Sequence, residues 1–108
     1  MQPIIVVTTC DKKEIAESIA KGVLEKRLAA CVQVTGPVES FYWWEQRIEA
    51  DEEYQVQMKS EKSLFEPLSQ VIRTLHSYEI PEIIGTEICS MDEDYRSWMA
   101  QELCLKKE

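Results

Sequence analysis

A chain of 108 residues is the length of one domain, and folding can hide roughly 65% of its unfolded surface without metal or disulfide staples. Its 44% hydrophobic and 30% charged content is that of a globular protein rather than a disordered one. The formal charge of −8, with 12 basic residues scattered among 20 acidic ones, excludes a nucleic-acid surface and disfavours anionic membranes.

No apolar run approaches the roughly 20 residues that would span a bilayer. The opening Met1-Gln2-Pro3-Ile4 lacks a charged segment followed by an apolar stretch, so a cytoplasmic protein is expected. Cys10, Cys31, Cys89 and Cys104 form no Cys-x-x-Cys pair, which disfavours structural zinc. Cys31 and Cys89 lie in apolar, strand-like runs and Cys104 on a helical pattern. All three are expected to be buried, reduced thiols.

In chain order, the β-branched run Pro3 to Thr9 reads as a central strand, apolar on both faces. Asp11 with Glu14 has the form of a capping box, opening a helix with Ile15, Ile19, Val23, Leu24 and Leu28 at helical spacing. Gly22 inside it implies close contact with the sheet. Ala29 to Val34 is a second strand. Gly36-Pro37 marks a bulge or bend, extended character resumes from Val38 to Trp44, and Glu45-Gln46 is a turn into a third strand, Arg47 to Lys59. The segment from 30 to 59 is thus one long bent hairpin.

Ser63 with Glu66 opens a second helix with Leu64, Leu68, Val71, Ile72 and Leu75 on its apolar stripe. A loop from Ser77 to Pro81 leads to a fourth strand, Glu82 to Cys89. Ser90 and Glu93 cap a third helix carrying Tyr95, Trp98, Met99 and Leu103, and the tail from Lys106 is expected to fray. The order β-α-β, β-α-β is that of a single ferredoxin-like α+β sandwich (1–108) with helices on one face of an antiparallel sheet, plus an extra C-terminal helix.

Phe41-Tyr42-Trp43-Trp44 puts aromatic side chains on both faces of one strand. A hairpin arm of so small a domain cannot bury both against its own core, which points to self-association. The acidic stretch Glu49, Asp51, Glu52, Glu53 fits no EF-hand spacing and reads as a solvated hairpin face. Asp92-Glu93-Asp94 reads as negative charge at a helix N-terminus.

Chemistry concentrates in two places. His76, the single histidine, precedes a proline-stiffened loop holding Tyr78, Glu79 and Glu82. Cys10 stands just before a helix start, where a thiolate is favoured, and a thiolate with an imidazole suits copper or zinc. Lys59, at a strand end, is a candidate anion-binding amine. No nucleophile elbow, P-loop or dinucleotide fingerprint is present, and nothing compels an enzyme.

The stretches Leu28-Ala29-Ala30-Cys31-Val32, Tyr42-Trp43-Trp44-Glu45, Lys59, and Leu75-His76-Ser77-Tyr78-Glu79-Ile80-Pro81-Glu82-Ile83 resemble, in order and spacing, the CutA family of divalent-cation tolerance proteins. The last stretch is the most specific, repeating the family's His-Pro-Tyr-Glu-x-Pro-Glu segment with Ser77 in place of its first proline. The resemblance covers the chain from Ile4 to Trp98. It implies a ferredoxin-like homotrimer with β-ribbons paired between subunits, binding of copper or another divalent cation, and a cytoplasmic role in metal tolerance.

The family's copper ligands are a cysteine late in the first strand and a His-His pair before the tyrosine. Here Thr8 and Leu75 stand at two of those positions, leaving Cys10, two places late, and His76. Gln46 and Gln33 replace a usual glycine and asparagine. The resemblance places Phe41, Trp43, Val56 and Met58 at the trimer interface. Lys59, Tyr42, Trp44, Tyr78, Glu79 and Glu82 would then line a cleft beside it. Two other functions fit the same residues: a small-molecule sensor similar to the trimeric PII signalling proteins, and a structural trimer acting through protein partners.

Overall fold

The computed structural model describes residues 1–105; the tail expected to fray from Lys106 lies outside them. Four strands form one antiparallel sheet in the order β2-β3-β1-β4, the ferredoxin-like arrangement. β1 is Pro3–Cys10, α1 Lys13–Glu25, β2 Cys31–Trp44, β3 Arg47–Glu61, α2 Phe65–Leu75, β4 Ile84–Glu87 and α3 Glu93–Glu102.

β1 lies between β3 and β4, as a strand apolar on both faces should. Ile4, Val6, Thr8 and Cys10 are buried while Ile5, Val7 and Thr9 are half-buried. Val56, Met58 and Ser60 of β3 stand beside the buried set. Ala16, Ile19 and Val23 of α1, Leu68 and Ile72 of α2 and Met99 of α3 pack into this core. Val56 and Met58 therefore belong to the interior of the chain itself, fully buried, and present no side chain for a subunit interface. Strand alternation decides this: the odd-numbered Gln55, Gln57 and Lys59 face the other way.

Helix ends differ from the capping expected. α1 starts after Lys12 with no side-chain cap, and the Asp11 carboxylate instead accepts a hydrogen bond from Ser77 Oγ at 2.9 Å. At its other end Arg27 adopts a left-handed φ of 56°. The Arg27 and Leu28 amides return to Leu24 and Val23 carbonyls at 2.9 Å each, a Schellman closure built on a non-glycine residue. Glu61, rather than Ser63, caps the start of the second helical segment, accepting from both Ser63 N and Oγ at 2.7 Å. Asp92, rather than Ser90, caps α3 through Tyr95 N at 3.0 Å. Gly22 answers to α2 and not to the sheet: a Cβ there would sit 3.0 Å from Leu75 Cδ1 and 3.4 Å from Val71 Cγ1.

The hairpin is continuous. Its register shifts between Thr35 and Val38, where Gly36 and Pro37 together oppose Tyr54 as a bulge. Gly36 is required there, because its φ is +157° and a Cβ would lie 2.7 Å from the Tyr54 ring. Glu45 and Gln46, both at positive φ, form the two-residue turn favoured by twisted hairpins. Beyond the bulge the ribbon projects from the body, which is why the molecule measures 49 × 26 × 21 Å.

β4 is shorter than the run Glu82 to Cys89 expected. β1 begins at Pro3, leaving no partner past Ile88, and the Thr9 carbonyl at the other end is taken by a histidine. The cysteines are all free, but Cys89 and Cys104, beyond the ends of β4 and α3, are exposed and Cys31 is half-buried; Cys10 is the buried one. α3 is tied on through the Arg27–Glu102 ion pair at 3.0 Å and Cys104 N to Arg27 O at 2.8 Å.

Candidate functional site: a groove between the ribbon root and the 76–82 loop

α2 ends at His76, whose amide closes the last turn on Ile72 O at 2.8 Å before the chain turns extended. The ring then holds the loop from both sides. Nδ1 accepts from the Tyr78 amide at 3.1 Å and Nε2 lies 2.8 Å from the Thr9 carbonyl. A carbonyl only accepts and an amide only donates, so the ring is the Nε2–H tautomer. Ser77 pins the loop to Asp11, and the His76 and Tyr78 rings pack with centroids 4.8 Å apart.

Tyr78 in turn reaches the ribbon root, its hydroxyl donating to Glu53 Oε2 at 2.7 Å. Glu53 is only 6% exposed, so it is not part of a solvated hairpin face. It opposes Val38 and shares a strand face with Gln55, but exposed Asp51 has the same parity, so no pattern in the sequence marks it. Burial, with the adjacent Glu53 carboxylate, pushes the Tyr78 phenol well above its ordinary pKa. Tyr42 donates to Asp51 and is pushed up to about 12, chiefly by that hydrogen bond.

Between loop and ribbon lies an open groove of about 710 Å³. Of the predicted cleft residues it is lined by Tyr42, Trp44, Tyr78, Glu79 and Glu82, and it adds Glu53. Lys59 is not in the lining: its ammonium donates to Gln33 Oε1 at 2.9 Å, further along β3. The ribbon's opposite face carries Trp43 and Phe41, the latter also reaching the groove's edge, with cross-strand Ile48 and Ala50. Phe41, Trp43 and Ile48 are each about two-thirds exposed or more (66%, 71% and 66%).

The predicted metal ligands do not fit a metal. Both His76 nitrogens are engaged with backbone. The Cys10 thiol is fully buried and donates to the Lys12 carbonyl at 3.5 Å and the Tyr54 carbonyl at 3.8 Å. Burial raises its pKa, reinforced by Asp11 and Glu53 and only partly offset by the hydrogen bond at Lys12. The helix start thus gives no thiolate here, because the side chain points into the core rather than along the helix axis to solvent. Among the described residues no group of three or more His, Cys, Asp or Glu is disposed to hold an ion, and no helix is long and apolar enough to cross a membrane.

The model of the CutA1 divalent ion tolerance protein family matches residues 4–102. The chain is 39% identical over 99 residues to the divalent-cation tolerance protein CutA of Pyrococcus horikoshii, covering 92% of this chain and 96% of that one. It is 32% identical to the chloroplastic CutA of Arabidopsis thaliana, covering 89% of this chain but only 53% of that longer protein. The solved structure of a periplasmic divalent cation tolerance protein CutA from Archaeoglobus fulgidus superposes with a TM-score of 0.89 at 34% identity, over 93% of this chain and 97% of that one. With the sheet order, the ribbon and the His76–Glu82 loop all in place, this chain belongs to the CutA1 divalent ion tolerance protein family.

Proposed function

We propose that this chain serves divalent-cation tolerance as a non-catalytic homotrimer in the cytoplasm, holding a small ligand in the groove between ribbon and loop. The carrying observation is the division of the ribbon into two unlike faces. One is an exposed apolar strip of Phe41, Trp43 and Ile48, which only another protein surface can cover. The other opens on the groove.

Copper or another divalent cation held at Cys10 and His76 is not part of the proposal, since those donors are engaged inside the chain. The reading favoured is that of a sensor resembling the PII proteins in layout, with tolerance exerted through the ligand. Native mass spectrometry of freshly purified protein tests it. The expected result is a species of three times the 12.6 kDa chain mass that retains a small molecule. A monomer at micromolar concentration rejects the assembly, and a trimer free of any retained or added ligand rejects the sensor.

A further inference from the structure

Glu53 is a buried carboxylate whose one hydrogen bond comes from a neutral phenol. Among the described residues it has no ion pair, and its Oε1 has no hydrogen-bond partner, although the residue lines the groove. That oxygen is not sealed from solvent, so it presents its acceptor capacity to the groove, where a positive ligand would complement it. Among the described residues the other charged groups lining it, Glu79 and Glu82, are also acidic, and no Lys, Arg or His lines it. Anions are excluded by the same field.

The walls decide which kind of cation. A hard divalent ion needs six or more convergent oxygens, and these carboxylates do not converge around a common point. Tyr42, Trp44 and Tyr78 instead present aromatic surface, which attracts a large, diffusely charged cation through the ring quadrupole and sheds little hydration from it. Raised phenol pKa values keep both tyrosines neutral, leaving the negative charge to the carboxylates. About 710 Å³ is ample for a drug-sized organic molecule.

We infer that the groove between the ribbon root and the 76–82 loop is a site for an organic ammonium ion, seated against Tyr42, Trp44 and Tyr78 with Glu53 as its countercharge. The inference rests on the reading that this groove holds a ligand, and it fixes that ligand's chemical class.

The test titrates the full-length protein with tetramethylammonium chloride at constant ionic strength, following backbone amide shifts by NMR. Parallel arms use tert-butanol, a neutral shape analogue, and manganese chloride. Tetramethylammonium should give saturable shifts at Tyr42, Tyr78 and Glu79, with tert-butanol giving none. Glu53→Gln should weaken binding about tenfold, and Trp44→Leu and the exposed Glu79→Gln about threefold each. The latter two carry the test if Glu53→Gln fails to fold. No saturable shift, equal binding of tert-butanol, or unchanged affinity in the variants overturns the inference. Saturation of the groove by manganese alone overturns it while sparing the ligand-site reading. Binding of none of the three overturns the ammonium class and leaves the retained-ligand measurement to judge the ligand-site reading by itself.

Discussion

Tyr78 and Glu53 lie 25 residues apart and are joined by one 2.7 Å hydrogen bond that closes the loop onto the ribbon root. Through it the end of α2, the end of β1 and the hairpin share one brace: His76 on Thr9, Ser77 on Asp11, Tyr78 on Glu53.

Tyr78→Phe removes the donor and leaves a buried carboxylate unsatisfied. The variant should lose about 1–2 kcal/mol of stability in urea denaturation. A loss within experimental error would mean that Glu53 finds water or another donor and that the brace is not structural.

The phenols also set a stability profile at high pH. Their folded pKa values lie above the ordinary value of about 10, so stability is at its plateau below that pH and falls above it, as the unfolded chain ionises first. For Tyr42 the fall runs to about 12, and for Tyr78 it continues higher. Urea midpoints measured between about pH 9 and about pH 11.5 should fall less steeply in a Tyr42→Phe, Tyr78→Phe double variant than in the parent. Parallel slopes would contradict the shifts.

His76→Ala deletes both ring hydrogen bonds. Exchange of the Tyr78 amide should accelerate about tenfold, the consequence of one lost hydrogen bond of about 1.4 kcal/mol. Copper affinity measured by calorimetry should not change, because neither ring nitrogen is free to ligate. A copper affinity that collapsed in this variant would restore the histidine as a ligand.

Substitutions in the hairpin should divide cleanly between assembly and folding. Phe41→Ser with Trp43→Ser, both on exposed positions, should abolish the trimer in native mass spectrometry while leaving the far-ultraviolet dichroism of the chain. Met58→Ala, fully buried, should instead cost about 2–5 kcal/mol of folding stability. The opposite pattern would move Met58 back to the interface.

Much of this architecture is legible in the sequence because periodicity separates strand from helix. The β-branched run of β1, the spacing of Ile19 and Val23 and the interruption at Gly36-Pro37 each have one reading. Parity on β3 was harder, since Tyr54 to Met58 alternates with glutamine and both sets can face protein; only the neighbours of Val56 and Met58 decide which is inside. Caps mislead because Asp11, Ser63 and Ser90 are all good capping residues, yet Ser63 and Ser90 each lose to a carboxylate two positions away and Asp11 is taken by Ser77. The groove depends on Glu53 meeting Tyr78, a tertiary contact that no local pattern announces. His76 was visible as special, but its partners are backbone groups that carry no residue signature.

The bulge at Gly36-Pro37 works as a phase inverter. Before it, even-numbered Val32 and Val34 pair with Met58 and Val56 on the helix side; after it, even-numbered Val38 pairs with Glu53, so Tyr42 and Trp44 face the groove. Because paired residues share a face, the unbroken alternation of β3 keeps Tyr42 and Trp44 beside Glu49 and Arg47, and Phe41 and Trp43 beside Ala50 and Ile48. The β3 partner thus fixes each aromatic's duty, and substitutions along the ribbon should be tolerated or rejected according to odd or even position rather than distance along the chain.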